Sequence, residues 1–462
     1  MGNPKAFLTI KRKEAGYRPI QERVTDFGEV EQTLNTEDRQ LQASRCMDCG
    51  VPFCHWSCPL GNRQPEWQDL IYKGEWRKAY LNLQETDDFP EFTGRICPAL
   101  CEKGCVLAKT GEAITVRENE VSIIERAFAE GYVQPIVPKK RSGKKVAVIG
   151  GGPAGMACAN QLNQAGHLVT VYEKDDAVGG LLRYGIPDFK LNKNIIDRRV
   201  KLMEAEGVKF ELNAHIGITC DIRTLEKEYD AICITIGSGV PRDLQASGRE
   251  LHGIHFALDF LKNQNTAVAE RTIVDPESPL SAKGKRVLVI GGGDTGSDCV
   301  GTSIRQGAAS VTQIEIMPMP PEGTNPDTPW PYYPNVLKVS SSHKEGCTRR
   351  WSLATNRFLG KDGKLAGVEV KSTETGEVEI IPAEMVLLAM GFVHPVHEGI
   401  VDVLSLDVDG RQNIACSSSM ETTKNGIFVA GDATTGASLV VRAIASARQA
   451  AQEIDAYLKN TK

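Results

Sequence analysis

Seven cysteines crowd into a short stretch of the chain. Their spacing is C-x2-C-x4-C-x3-C-P from Cys46 to Pro59 and C-P-x2-C-x3-C from Cys97 to Cys105. Thiolates at such spacings bind metal, and the first run has the shape of the ferredoxin pattern with a longer middle spacer. Zinc and a metal-free domain are the competing interpretations. The two Cys-Pro pairs favour iron–sulfur, and seven thiolates leave two four-ligand clusters one ligand short.

A glycine motif directly after an apolar run predicts a second kind of chemistry. The run VAVI leads into the motif G-x-G-x-x-G. Its glycines are Gly150, Gly152 and Gly155, and Pro153 and Ala154 lie between the last two. Such glycines allow a tight turn, close approach to a pyrophosphate, and helix–strand packing. Glu173 ends the next apolar run, where an acid binds a ribose hydroxyl pair. We therefore predict a dinucleotide site rather than a turn without a ligand.

The same motif occurs again after the run VLVI, with Gly291, Gly293, Asp294, Thr295 and Gly296. Glu315 falls near the strand end that corresponds to Glu173. Two dinucleotide sites suggest two cofactors that exchange a hydride. An acid near the ribose favours NADH, whereas an arginine pair suits a 2′-phosphate, and Arg349 and Arg350 are candidates for that pair or for a solvated surface. The alternative to a functional second dinucleotide site is a vestigial duplicate of the first motif that binds no cofactor.

A third segment resembles the second flavin fingerprint of two-dinucleotide-domain flavoproteins. In GIFVAGDATTGASLVVRAI, an apolar strand ends at Gly431 and Asp432 and a helix of small residues follows. The resemblance implies that Asp432 binds the ribityl chain of FAD.

These residues lie in three compositional zones. Residues 1–143 repeat charged and apolar residues at helical spacing, which predicts a small α-helical domain around the cysteines. From Lys144 and again from Lys285, the order apolar strand, glycine turn, helix and strand indicates duplicated βαβ units. We predict an α/β fold with an N-terminal α-helical iron–sulfur domain and two Rossmann-like domains, the second (282–394) inserted in the first (144–281 and 395–462).

Composition excludes several classes of protein. The 462 residues are 41% hydrophobic and 24% charged, with a net charge of −5, which is typical of a globular protein without affinity for nucleic acid or acidic lipid. No run approaches the roughly 18 apolar residues of a membrane span. The 13 cysteines and the charged first residues favour a cytoplasmic protein without a disulfide framework.

The resemblance to one family is specific. The segments RCMDCGVPFCH, CPLGN, FPEFTGRICPALCEKGC and GGLLRYGIPDFKL resemble the small (beta) subunit of bacterial glutamate synthase, and the likeness covers nearly the whole chain. The family implies FAD, a nicotinamide site that usually takes NADPH with NADH possible, and two [4Fe-4S] clusters. It also implies a hetero-oligomer with a large (alpha) subunit.

The resemblance further implies how the site residues divide. One cluster would be held by Cys46, Cys49, Cys54 and Cys105. The other would be held by a carboxylate together with Cys58, Cys97 and Cys101. The segment VSIIERA aligns with the family segment that carries this acid, which points to Glu125. By the same resemblance the segment LRYGIPDFK (Leu182 to Lys190) lies near the flavin ring, and we predict that Gly180, Leu181 and Gly237 bind the cofactor.

The expected role is electron input. A bound nicotinamide would give a hydride to FAD, a step that needs orientation but no side-chain acid or base, so we predict no catalytic side chain. The clusters would pass single electrons to the large subunit, which converts 2-oxoglutarate and glutamine to two glutamates. A related ferredoxin- or dihydropyrimidine dehydrogenase-type electron-transfer subunit stays open, as does a non-redox assembly protein.

Overall fold

The computed structural model describes residues 3–461 and starts with short helices around the cysteines. They are α1 (Ala6–Thr9), α2 (Ile20–Arg23), α3 (Thr36–Ser44), α4 (Phe53–Ser57), α5 (Gln64–Tyr72), α6 (Trp76–Gln84), α7 (Pro90–Ile96), α8 (Leu100–Gly104) and α9 (Arg117–Ala129). The core of this region contains Trp67, Leu83, Ile123 and Ile124. On α9 the buried positions recur at intervals of three and four residues, so one stripe of the helix faces this core.

The first βαβ unit follows. Its elements are β1 (Lys145–Ile149), α10 (Pro153–Gln164), β2 (Leu168–Tyr172), α11 (Leu181–Tyr184), α12 (Lys193–Glu206), β3 (Lys209–Glu211), α13 (Ile222–Glu228) and β4 (Ala231–Ile234). β1 and β4 are apolar along nearly their whole length, which is expected of parallel strands covered on both faces.

The second unit contains an added antiparallel sheet. Its elements are β5 (Ile254–Phe256), α14 (Ala257–Ala269), β6 (Arg286–Ile290), α15 (Asp294–Arg305), β7 (Ser310–Ile314), β8 (Thr348–Arg350), β9 (Leu353–Lys361), β10 (Lys364–Ser372), β11 (Val378–Pro382) and β12 (Met385–Leu388). The parallel strands have the order β5-β12-β6-β7-β8, and β9, β10 and β11 form a separate sheet.

The chain then returns to the first unit through α16 (Ile400–Leu404), β13 (Ile427–Val429), α17 (Asp432–Thr435) and α18 (Val440–Asn460). β13 pairs with β4, so the first parallel sheet has the order β13-β4-β1-β2-β3. The predicted α/β class and the insertion of one Rossmann-like unit in the other are confirmed. Within residues 3–461, no helix has the length and apolar character needed to cross a membrane.

One expected boundary is corrected. Residues 254–281 were assigned to the first Rossmann-like domain, but β5 pairs with β12 in the second sheet. α14 packs beside α15, and Phe260 and Leu261 lie in the core of the second unit. The second domain therefore begins before Ile254, because a strand belongs to the sheet with which it hydrogen-bonds.

Candidate functional site

The first glycine loop is shaped as its motif predicts. Gly150 has a φ of +107°, and a Cβ there would lie 2.5 Å from the carbonyl oxygen of Thr235. At Gly155 a Cβ would lie 1.8 Å from the carbonyl oxygen of Gly150, so only glycine lets α10 pack this closely. The loop therefore brings the N-terminus of α10 to the mouth of a cavity.

Glu173 is fixed beside this loop. Its buried carboxylate accepts hydrogen bonds from the backbone N–H of Gly151 at 2.7 Å and of Asp175 at 2.9 Å. Burial raises the pKa of Glu173 although these N–H groups oppose the shift. The side chain lines the cavity, so its position suits recognition of a ribose.

The cavity beside the first loop (the flavin cavity) collects most of the residues predicted for FAD. Its walls include Gly150, Gly152, Pro153, Ala154, Glu173, Gly180, Leu181, Gly237 and Asp432. Asp432 accepts a hydrogen bond from Ser438 at 2.6 Å, and burial raises its pKa. Gly431 packs against the first turn of α10, where a Cβ would lie 2.8 Å from that of Ala154. The carboxylates of Glu173 and Asp432 thus line one cavity together with the glycine loop, an arrangement that fits FAD.

The second glycine loop repeats the arrangement of the first. Glu315 accepts hydrogen bonds from the backbone N–H of Gly292 at 2.7 Å and of Met317 at 3.2 Å. Gly291 has a φ of +122°, and a Cβ there would lie 2.3 Å from the carbonyl oxygen of Ala389. The two units are therefore duplicated in the glutamate that accepts a hydrogen bond from the glycine loop, as well as in their glycines.

The two arginines considered for a 2′-phosphate are already engaged. Arg349 donates a hydrogen bond to the carbonyl oxygen of Lys338 at 2.8 Å and lies over the ring of Trp351 at 4.9 Å. Arg350 forms an exposed ion pair with Glu379. Neither is in the wall that carries Asp294 and Thr295. A phosphate-binding role for the pair stays a prediction.

A second cavity (the central cavity) joins three regions of the chain. Its wall contains Asp294 and Thr295 at the start of α15, Leu181 and Ser438 from the flavin side, and Cys97. It shares six residues with the flavin cavity: Leu181, Ile186, Leu258, Phe392, Ser438 and Val440. The second dinucleotide site and the flavin cavity thus open onto each other beside a cysteine.

The cysteines separate into the two expected sets. Cys46, Cys49, Cys54 and Cys105 line a small apolar cavity of their own. Burial, together with the nearby charges of the Cys105 and Cys49 thiolates, raises the pKa of Cys46 to about 12. Crowded thiols of this kind are held as thiolates only by a strong positive charge, which iron supplies.

The remaining three thiols surround a carboxylate. Burial raises the pKa of both Cys58 and Cys97 to about 12, and the nearby charge of Glu120 contributes in each case. The pKa of Cys101 is also raised, chiefly by burial and by Cys58. Glu120 adds to that shift as well. The charge of Glu120 thus acts on all three thiols, which indicates that its carboxylate lies near the second set.

Glu120 is held by neutral groups. Thr93 Oγ1 lies 2.6 Å from one carboxyl oxygen, and Asn62 Nδ2 donates to the other at 3.3 Å. Thr93 Oγ1 also lies 2.7 Å from the carboxyl of Asp87. Burial raises the pKa of Glu120, and the charge of Asp87 raises it further. No basic side chain forms an ion pair with Glu120 among residues 3–461.

Glu125, the expected eighth ligand, points elsewhere. Its carboxylate accepts hydrogen bonds from Arg95 at 2.9 Å and from Arg198 at 2.8 Å. Burial opposes ionisation, yet these arginines keep the pKa of Glu125 below its ordinary value. Its expected assignment is therefore corrected. The missed signal was helical spacing, because Glu120 shares the buried stripe with Ile123, Ile124 and Ala127.

The arrangement of the thiols also bears on zinc. Among the described residues, no three His, Cys, Asp or Glu side chains converge tightly enough to hold one metal ion. Thiolates that share a zinc ion, each at about 2.3 Å, would do so. In a four-iron cluster each thiolate binds a different iron, so the ligands lie farther apart. The donor set fits clusters better than zinc.

Two short helices connect the thiol sets. Cys54 and Cys58 mark the ends of α4, and Cys101 and Cys105 mark those of α8. The helices are in close contact, since a Cβ at Gly104 would lie 1.9 Å from Ser57 Oγ. Each helix therefore presents one thiol to each set, and the sets are neighbours.

Family comparisons agree with this division. The pyridine nucleotide-disulphide oxidoreductase family matches residues 144–452. The family described as dihydropyrimidine dehydrogenase domain II, 4Fe-4S cluster, matches residues 23–132. Among solved structures, FprA from Mycobacterium tuberculosis in complex with NADPH has a TM-score of 0.55 at 18% identity and covers 69% of this chain and 85% of its own. That likeness is one of fold.

Curated relatives match almost the entire chain. The glutamate synthase [NADPH] small chain of M. tuberculosis is 45% identical across 99% of this chain and 96% of its own. That of Bacillus subtilis is 40% identical across 99% of both. Glutamate synthase [NADH] of Schizosaccharomyces pombe is 40% identical over 98% of this chain but only 22% of its own. The chain therefore belongs to the glutamate synthase small-chain family, as an oxidoreductase with flavin, pyridine-nucleotide and iron–sulfur cofactors.

Proposed function

We propose that this chain is the electron-input subunit of a glutamate synthase, which takes a hydride from NADPH, with NADH possible. The observation that carries the proposal is the central cavity, whose wall combines the start of α15, the flavin-side residue Leu181 and the thiol of Cys97. A nicotinamide, a flavin and the second thiol set would meet there. The site that accepts the hydride and the thiols through which electrons would leave therefore adjoin one cavity, and no large movement of the chain is needed between them.

The chain's own residues orient and insulate the reactants. When bound, FAD accepts a hydride and the clusters accept single electrons. Glu173 and Asp432 both line the flavin cavity, where they would bind the ribose and the ribityl chain of FAD. Leu181 and Phe392 line both cavities and keep water from the point where they meet. Neither task requires a proton transfer.

We assign Glu120 as the eighth cluster ligand, with Cys58, Cys97 and Cys101. Its support is the buried carboxyl that faces all three thiols and lacks an arginine partner. Cys46, Cys49, Cys54 and Cys105 hold the other cluster. Because Cys97 borders the central cavity, a cluster held by the second set would adjoin that cavity and could accept single electrons there, whereas the first set lines a separate cavity.

The acceptor in this proposal is a large glutamate synthase subunit, which converts 2-oxoglutarate and glutamine to two glutamates. The names of the bacterial relatives support a small chain with such a partner. In the S. pombe relative, the matching region is 22% of a longer chain, which is consistent with direct contact between the two parts.

The test measures oxidation of NADPH, and separately NADH, by the chain copurified with its native partner. Glutamine plus 2-oxoglutarate should stimulate oxidation, and neither substrate alone should match the pair. Coupling to a pyrimidine or ferredoxin instead would move the chain to a sister electron-transfer family. Failure of either dinucleotide to bleach the flavin anaerobically would contradict a redox role.

A further inference from the structure

A segment after the Pro-rich stretch packs against the second glycine loop. We call residues 340–345 the clasp. Ser340 and Ser341 line the central cavity beside Asp294 and Thr295. Ser340 Oγ also lies 2.6 Å from Ser297 Oγ in the first turn of α15. The clasp therefore contacts the helix whose start faces the dinucleotide site.

A relay of hydrogen bonds leads from the clasp to the loop. Gln313, almost fully buried on β7, donates from Nε2 to the carbonyl oxygen of Gly291 at 2.8 Å. Its Oε1 lies 2.9 Å from His343 Nε2. The backbone N–H of Ser340 donates to His343 Nδ1 at 3.1 Å. The amide of Gln313 therefore has both of its ends occupied.

This relay requires one form of the imidazole. Because Nδ1 accepts from Ser340, the ring proton must reside on Nε2, which donates to Gln313 Oε1. Gln313 is thereby oriented with its amino group toward Gly291. Burial lowers the pKa of His343 to about 4, so the ring stays neutral at physiological pH.

The first glycine loop is held differently. The carbonyl oxygen of Gly150 accepts a hydrogen bond from Thr235 Oγ1 at 2.9 Å, and Thr235 follows a strand of the same sheet. The second loop is instead held by Gln313 on β7 of its own βαβ unit, and the amide of Gln313 is in turn held by His343, which lies outside that unit. The relay is thus a feature of the nicotinamide side alone, in a fold that is otherwise duplicated.

We propose that His343 is a positioning residue for the nicotinamide dinucleotide, acting through Gln313 on the turn at Gly291. Holding that carbonyl fixes the direction in which the following backbone enters α15. The N–H groups at the start of α15 then face the pyrophosphate without rearrangement. The proposal rests on the proposed function only in taking this cavity as the dinucleotide site.

A matched pair of variants tests the relay. His343→Phe keeps a ring but loses both hydrogen bonds, whereas His343→Gln keeps a donor and an acceptor. NADPH and NADH are each titrated anaerobically against flavin bleaching, and KM and kcat are measured with an artificial electron acceptor. We expect His343→Phe to raise the dissociation constant and KM about tenfold, with kcat within about twofold. His343→Gln should stay within about threefold of the parent.

Three controls separate positioning from folding. FAD and iron content should be equal in parent and variants, since no clasp residue lines the flavin cavity or the small cavity of the first thiol set. Gln313→Met should give the same shift as His343→Phe, and the double variant should add nothing, because both remove one relay. Unchanged KM in His343→Phe, an equal rise in His343→Gln, or additive effects would overturn the proposal. A parent flavin that neither dinucleotide bleaches would overturn the proposed function and this proposal together.

Discussion

Two glutamates on one helix illustrate how surroundings determine what a carboxylate can do. Glu120 faces three thiols and neutral donors, whereas Glu125, five residues on, is neutralised by Arg95 and Arg198. A carboxylate that accepts three hydrogen bonds from two guanidinium groups would have to give up part of this charge-assisted pairing to bind an iron atom. The difference between a ligand and a structural anchor is thus set by the face of α9 on which each residue lies.

Substitution of these two acids should therefore affect the iron content differently. Glu120→Ala should lower iron from about eight atoms per chain toward four, since one four-iron site loses a ligand. Glu125→Gln, the control on the same helix, should keep its iron. Iron assay and the EPR spectrum of the reduced protein report both. Full iron in Glu120→Ala, with an unchanged spectrum, would refute the assignment.

The duplicated glutamates allow a reciprocal experiment. Glu173→Ala should weaken flavin retention about tenfold or more, because a ribose hydroxyl pair loses its buried acceptor. Glu315→Ala should leave flavin retention intact and weaken dinucleotide binding instead. Flavin absorbance after dialysis and dinucleotide titration distinguish the two. Equal flavin loss in both variants would mean that the carboxylates act through folding.

At the scale of elements, α4 and α8 matter more than their length suggests. Each is about one turn long and carries a thiol of one set at its start and of the other at its end. Such short helices are not stable by themselves, so their packing against each other fixes the thiols. The contact between Gly104 and Ser57 sets their separation.

Gly104→Ala should disturb both thiol sets at once. The added methyl group would meet Ser57 Oγ at 1.9 Å and Ser57 Cβ at 2.7 Å, so the helices must separate. Overpacking of this kind destabilises by about 1–3 kcal/mol. Iron content should fall, and Ser57→Gly in the same chain should restore it by removing the clash. An iron-replete single variant, or a double variant without recovery, would contradict this packing argument.

Local features of these elements were predictable and nonlocal ones were not. The glycine loops follow from short motifs whose chemistry is encoded within a few residues, whereas the division of the cysteines into two sets was implied only by the family resemblance. The sheet to which β5 belongs depends on pairing with β12, about 130 residues later, and a three-residue strand has no pattern that reveals its partner. Glu120 is an intermediate case. Its position on the buried stripe of α9 follows from helical spacing, but its proximity to the thiols depends on how α9 packs in the folded domain.

At the scale of the whole molecule, the N-terminal segment ties the cysteine domain to the second Rossmann-like unit. Arg23 and Arg305 both pair with Glu345, and all three side chains are almost completely buried. Arg305 also lies 3.9 Å from the ring centre of Phe189. The backbone N–H of Val30 donates to the carbonyl oxygen of Phe189 at 3.0 Å. These contacts restrain the nucleotide domain against rotation.

Glu345→Gln should loosen this connection strongly. Two buried arginines would lose their counter-charge, at a cost of about 3–5 kcal/mol. Glu379→Gln, which breaks only the exposed pair with Arg350, should cost less than about 1 kcal/mol. Thermal unfolding and limited proteolysis near residue 23 measure both. Comparable losses in the two variants would show that burial of the Glu345 cluster adds nothing.

Acid should weaken another connection between domains. Glu125 on α9 pairs with Arg198 on α12 of the first Rossmann-like unit, and its pKa is lowered. Its stabilising contribution is therefore present above the unfolded value of 4.5 and is lost as pH falls through the lower folded value. Glu125→Gln should show a smaller fall in melting temperature than the parent over that range. Parallel pH profiles would argue against the connection.

The shared helices α4 and α8 also affect how the protein is completed in the cell. Filling either thiol set fixes one end of each helix and thereby orients Cys58 and Cys101, or Cys54 and Cys105, toward the other set. The ordering entropy for the second insertion is then largely met by the first. We therefore expect cluster insertion to be cooperative, so that partial reconstitution gives mainly empty and fully loaded chains.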